Sequence, residues 1–160
     1  NGNHLDENSN DDVKGFWVED KEMKFFPKGI ETFFPNLIAV GFKDTGMMTV
    51  TKEDLKPFGE NLVYFSVLDT NIDYIEKDLF IYNPNLECIG FYNNKIKFIH
   101  PNAFDNLLKL DSLWLTDNKC IDRKTDNRED VESLIGAIKE QCGLEFLTKE
   151  IKMMLEAALD

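Results

Sequence analysis

Residues 86–107 read LECIGFYNNKIKFIHPNAFDNL, with apolar side chains at Leu86, Ile89, Phe91, Ile96, Ile99, Phe104 and Leu107 spaced around Asn94. The same frame recurs on both sides. Its first apolar anchor falls at Val13, Leu37, Leu62, Leu86 and Leu110, at offsets of 24, 25, 24 and 24 residues. A register repeated in this way decides the architecture ahead of local propensity. Each unit is one supersecondary element that cannot bury its apolar face alone, and stacking on its neighbours builds a continuous core. Such a chain presents a surface rather than a reaction centre.

Counting the anchor as position 1, the apolar positions 4, 6, 11 and 14 hold Phe16, Val18, Met23 and Phe26 in the first unit. Val40, Phe42, Met47 and Val50 follow in the second, and Phe65, Val67, Ile72 and Ile75 in the third. The fourth has Ile89, Phe91, Ile96 and Ile99, and the last stops at Leu113, Leu115 and Cys120. Side chains alternate across a strand, so positions 4 and 6 point into the core while 3, 5 and 7 point out of the same sheet. Pro27, Pro35, Pro57, Pro84 and Pro101 all fall on the return segments. Proline removes a donor and discourages long helix, which predicts 3₁₀ turns and short extended pieces there. Position 9 is Asn in the last two units (Asn94, Asn118) but Lys21, Thr45 and Thr70 before them. A buried lysine needs a partner, so the first unit reads as a frayed or capping repeat.

Residues 13–120 resemble the leucine-rich repeat family, in the form of about 24 residues common in extracellular members. The resemblance implies an α/β solenoid: a horseshoe with about five parallel strands on its concave face, a 3₁₀ or irregular convex side and a C-terminal helical cap. In that family the position-9 asparagine bonds neighbouring backbone inside the turn. Beyond Cys120, Val131, Leu134, Ile135 and Ile138 lie at helical spacing within 129–139. This segment looks like a cap pinned by a Cys120–Cys142 bridge, and is similar to small secreted leucine-rich proteins of arthropods. A bridge implies an oxidising compartment, hence a secreted or extracellular protein; the rival is two reduced cysteines in a cytosolic one. Cys88 is left over at position 3 of its repeat, either a free or intermolecular thiol or a thiol buried beneath Tyr64.

The chain thus divides into an acidic, disordered tail (1–12), the solenoid (13–120), the cap (121–142) and an amphipathic helix (143–160). That last segment sets Leu144, Leu147, Ile151, Met154, Leu155 and Ala158 on one face, either to pack on its own domain or to serve as an arm for association. The tail has no capping cysteine pair, so the strand at Val13–Val18 is expected to be an edge covered by the tail or by another chain. The start at Asn1, without Met, fits a processed terminus or a trimmed chain.

Lys and Arg total 18 against 30 Asp and Glu, a net charge of −12, which argues against nucleic acid or anionic membranes as partners. No apolar run approaches the roughly 18 residues of a membrane span, so no insertion is expected. His4 and His100 are the only histidines. No nucleophile elbow, phosphate-binding glycine loop or HExxH helix occurs, and three cysteines without a CxxC pair argue against zinc. The expectation is therefore a protein that is not an enzyme and has no cofactor or metal. Position 8 carries Asp20, Asp44, Asp69, Asn93 and Asp117. Stacked carboxylates could recruit Ca²⁺; the resemblance instead implies that this side chain stabilises the turn leaving each strand, which is the favoured reading.

The outward columns point to function. Position 5 runs Trp17, Gly41, Ser66, Gly90 and Trp114; position 7 runs Glu19, Lys43, Leu68, Tyr92 and Thr116; position 3 adds Tyr64 and Cys88. Two tryptophans thus end a trough of small residues, and Gly41 and Gly90 are expected to leave room for a ligand. Trp and Tyr bury much area at little entropic cost, which suits binding anchors. The tryptophans read equally as shields for the ends of the sheet. Trp17, Lys43, Tyr64, Leu68, Tyr92 and Trp114 are the expected partner-binding residues. The expected function is a secreted recognition module holding a protein or peptide on its concave face. Its rival is a self-assembling structural or adhesive protein, a homodimer included, that uses the first strand, Cys88 and the C-terminal helix.

Overall fold

The structure is a computed structural model that describes residues 9–143 together with Thr148, Ile151 and Leu155. In chain order its elements are β1 (Gly15–Glu19), α1 (Ile30–Phe33), β2 (Ala39–Lys43), α2 (Lys52–Leu55), β3 (Tyr64–Leu68), β4 (Tyr74–Ile75), β5 (Cys88–Gly90), β6 (Phe98–Ile99), β7 (Ser112–Trp114), β8 (Lys124–Thr125) and α3 (Arg128–Cys142). Short 3₁₀ turns occupy Asn10–Asp12 and Lys56–Asn61. One sheet has the order β1-β2-β3-β5-β7-β8, and β4 pairs with β6 in a second, two-stranded sheet.

Five of the six strands are parallel and pair in the repeat register: Ala39 lies beside Tyr64, Tyr64 beside Cys88 and Cys88 beside Ser112. Equivalent positions therefore stack, and the inward columns fuse into one core. Val40, Phe42, Phe65, Val67, Ile89, Phe91, Leu113 and Leu115 are all fully buried. Phenylalanines knit successive repeats, with Phe65 6.0 Å from Phe91 and 6.3 Å from Phe80, and Phe80 5.8 Å from Phe104. Burial of each such ring contributes about 1.5–3 kcal/mol, and favourable ring geometry adds about 0.5–1.5 kcal/mol. On the convex side the return segments are short helices, a 3₁₀ turn and the β4–β6 pair, as the prolines require.

The turns leaving the strands use two polar columns. At position 8, Asp20, Asp44, Asp69, Asn93 and Asp117 all have φ between 48° and 58°. Short polar side chains tolerate this left-handed conformation better than most, which is the physical basis of the turn role. At position 9, Asn94 donates through Nδ2 to the Val67 and Tyr92 carbonyls, at 2.8 and 3.1 Å, and accepts at Oδ1 from the Ile72 amide (3.1 Å) and the Thr70 hydroxyl. Asn118 repeats the pattern one unit on, reaching the Phe91 carbonyl at 2.7 Å and the Ile96 amide at 3.1 Å. Thr45 is too short to span this gap, and its buried hydroxyl finds no partner among the described residues.

The two ends differ. At the N-terminal end Val13, Phe16, Val18 and Met23 are only partly buried, and Lys21 is exposed, as a capping repeat requires. Ser9 to Asp12, assigned above to a disordered tail, instead form a capped turn in which Ser9 and Asp12 bond each other reciprocally. Asn36 also donates to the Asp11 carbonyl at 2.9 Å. Residues 1–8 of that tail lie outside the described residues, as does nearly all of the expected helix 143–160. At the C-terminal end β8 joins β7 antiparallel, and α3 buries Val131, Leu134 and Ile138 against the last repeat. Cys120 and Cys142 are disulfide-bonded.

Candidate functional site

The register sets Trp17, Gly41, Ser66, Gly90 and Trp114 in a line across the concave face. The expectation that the glycines leave room for a ligand is overturned. The Trp17 ring lies on Gly41, where an added Cβ would stand 2.2 Å from its Cε3 and Cζ3 atoms. At Gly90 an added Cβ would be 3.1 Å from Trp114 Cε3 and 3.2 Å from Leu68 Cδ2. Each tryptophan thus takes up the space beside its own glycine, because covering the bare glycine Cα and its neighbours removes part of the indole's apolar surface from water. Ser66 is fully buried between them, and its hydroxyl has no partner among the described residues.

Polar tips hold both rings. Trp17 Nε1 donates to Glu19 Oε2 at 3.4 Å, and Glu19 pairs with Lys43 at 2.5 Å. The Lys43 ammonium, with help from the indole N–H, holds the Glu19 carboxyl below its ordinary range, and Glu19 in turn raises Lys43. Trp114 Nε1 donates to Asp126 at 2.5 Å, and its ring meets Tyr64 edge to face.

Beyond these contacts the concave face opens. A cavity of about 490 Å³ is lined by Leu68, Tyr92, Trp114, Thr116, Asp117, Asp122 and Lys124. Three of the six expected residues, Leu68, Tyr92 and Trp114, meet in it, while Tyr64 packs against Trp114. Trp17 and Lys43 do not line it and belong to the separate Glu19 cluster. Asp122 and Lys124 were not foreseen from the sequence. They arrive on the antiparallel return into β8, which follows the end of the repeat register, where no period signals a reversal.

Cys88, beside Tyr64 and Ser112 in register, is a half-buried free thiol. Burial, and then the charges of Asp111 and Asp126, push it up to about 12, so little thiolate exists near neutral pH. Among the described residues no group of three or more His, Cys, Asp or Glu is placed to hold a metal ion, and no helix is long and apolar enough to cross a membrane.

Stacked parallel strands on one face, an asparagine column and short convex returns are the architecture of a leucine-rich repeat solenoid. Residues 60–119 match the family model for leucine rich repeats. The chain is also similar in structure to one in the Toll–Spatzle complex, described as a molecular hub in Drosophila development and innate immunity. That likeness has a TM-score of 0.62 at 17% identity and covers 72% of this chain, but only 16% of the Toll-complex chain. It is a likeness of fold, and this chain corresponds to a small part of that longer one. No curated protein matches the sequence.

Proposed function

We propose that the chain is an extracellular recognition module that holds a protein or peptide partner on its concave face, centred on the cavity of Leu68, Tyr92 and Trp114. The cavity itself carries the reading. It gathers a leucine and two aromatic side chains on outward columns, where the core does not need them, and Tyr92 remains 39% exposed. Convergent aromatic anchors around a concavity are what a binding hot spot requires. The Cys120–Cys142 bridge supports an oxidising compartment. The test is affinity capture from extracellular fluid of the source tissue, comparing wild type with a Leu68→Ala, Tyr92→Ala double variant. Loss of a specific captured partner with unchanged circular dichroism supports the reading. Equal capture by both proteins moves the interface off this face.

One observation favours self-assembly as a second reading. The outer edge of β1 has no strand partner among the described residues, and Phe16 and Val18 beside it are half-exposed where their counterparts in later repeats are buried. Sedimentation over a wide concentration range decides it. A dimer abolished by Val18→Lys would place the contact at β1, and a monomer throughout removes this reading.

A further inference from the structure

We infer that the concave cavity takes a cationic side chain of the partner, an arginine above all, between the Tyr92 and Trp114 rings and the carboxylates of Asp117 and Asp122. This rests on the concave-face reading and names the chemistry of its occupant. The lining carries two carboxylates and one ammonium. Its ammonium, Lys124, lies 4.0 Å from Asp126, and neither Asp117 nor Asp122 is ion-paired among the described residues. The backbone holds this pair in place. Asp117 sits in the left-handed turn at φ 58°, and its amide donates to Asp122 Oδ1 at 2.9 Å. Trp114, tied to Asp126, and Tyr92 bring aromatic surface to the same space.

A neutral apolar side chain would fill this cavity at a cost, because it would strip water from two carboxylates and offer them nothing in return. A guanidinium answers both kinds of wall. Its plane stacks on an aromatic face, and its N–H fork reaches carboxylate oxygens, while its methylene stem covers Leu68. Lysine presents the same charge without the planar fork and fits less completely. The net charge of −12 works in the same direction at long range by steering basic partners to the protein.

The experiment uses a defined probe, acetyl-Gly-Arg-Gly-amide, with the citrulline and norleucine analogues as controls. Binding is followed by the indole N–H resonance of Trp114 in ¹H–¹⁵N spectra. A saturable shift with the arginine peptide is expected, at least about tenfold weaker with citrulline, the factor that loss of a charge-assisted hydrogen bond brings. Asp117→Asn and Asp122→Asn should each weaken it, and asparagine at 117 keeps the left-handed turn, so the fold is retained. Equal shifts from norleucine or citrulline overturn the cationic assignment while leaving an occupied concave cavity. A shift indifferent to both aspartate variants, or none with any peptide, also overturns it. The concave-face reading is then judged separately, by partner capture with the Leu68 and Tyr92 variants.

Discussion

The rings of Tyr64 and Trp114 meet edge to face, with centroids 6.2 Å apart, across the strand that carries Cys88 and Gly90. They belong to the third and fifth repeats, and they can touch because Gly90 offers no side chain between them. This contact turns a column of small residues into a closed aromatic surface, and it leaves the open part of the concave face to Leu68, Tyr92 and the far side of Trp114.

The two glycines should therefore respond differently to substitution. In Gly41→Ala the Trp17 ring must swing away, but it is 48% exposed and can move into solvent. A red shift in tryptophan emission is expected, with a stability change below about 1 kcal/mol in urea denaturation. Gly90→Ala crowds Trp114, Leu68 and Ser66 at once, and a loss of about 1–2 kcal/mol is expected. Equal effects at the two sites would contradict the packing described.

Asn94 joins two repeats through bonds to the Val67 carbonyl and the Ile72 amide. Asn94→Ala leaves both buried groups unpaired, and each such loss costs about 1–3 kcal/mol. Urea denaturation should show a destabilisation of about 2–4 kcal/mol. A change within error would mean that the ladder carries little of the stability.

The Cys88 thiol is held up to about 12 by burial, with Asp111 and Asp126 adding to it. Iodoacetamide should label native protein far more slowly at pH 8 than a free cysteine, and the rate should climb as pH approaches that value. Asp111→Asn removes one of the opposing charges and should speed labelling at fixed pH. Rapid labelling of folded wild type at pH 8 would contradict the assigned environment.

The Cys120–Cys142 bridge closes a separation of 22 residues, and a loop of that size is stabilised by about 3 kcal/mol in the chain-entropy account. Replacing both cysteines by serine should lower stability by that order. Hydrogen exchange should rise first in α3 and β8, with repeats two to four protected. Uniform loss of protection would indicate that the cap and solenoid unfold as one unit.

Asp54 offers a pH-dependent test. Burial raises its carboxyl, but the Lys28 ammonium and the Thr51 amide and hydroxyl outweigh burial and leave it below its ordinary range. A carboxylate whose folded value is depressed stabilises the protein above the unfolded value, near 4, and that contribution fades as pH falls through the folded value. Asp54→Asn should thus be less stable than wild type at pH 7, with the gap closing on acidification below pH 4. A gap that persists or widens in acid would assign the effect to something other than charge.

The inward columns of the solenoid were legible in the residues alone, and the family resemblance added the turn role of position 8, the asparagine ladder and the cap with its Cys120–Cys142 bridge, whereas the left-handed backbone at position 8 appeared in the structure. Burial acts on each repeat in the same way, so a period in the sequence is enough to reveal it. The candidate site was legible only in part. Leu68, Tyr92 and Trp114 stood out as outward aromatic and apolar residues, but Trp17 and Lys43 turned to Glu19, and the glycines received tryptophans rather than a ligand. Asp122 and Lys124 reached the cavity through a chain reversal that carries no period. These points emerge in three dimensions, because the conformation of an outward side chain depends on neighbours one and two strands away, and those neighbours are distant in sequence.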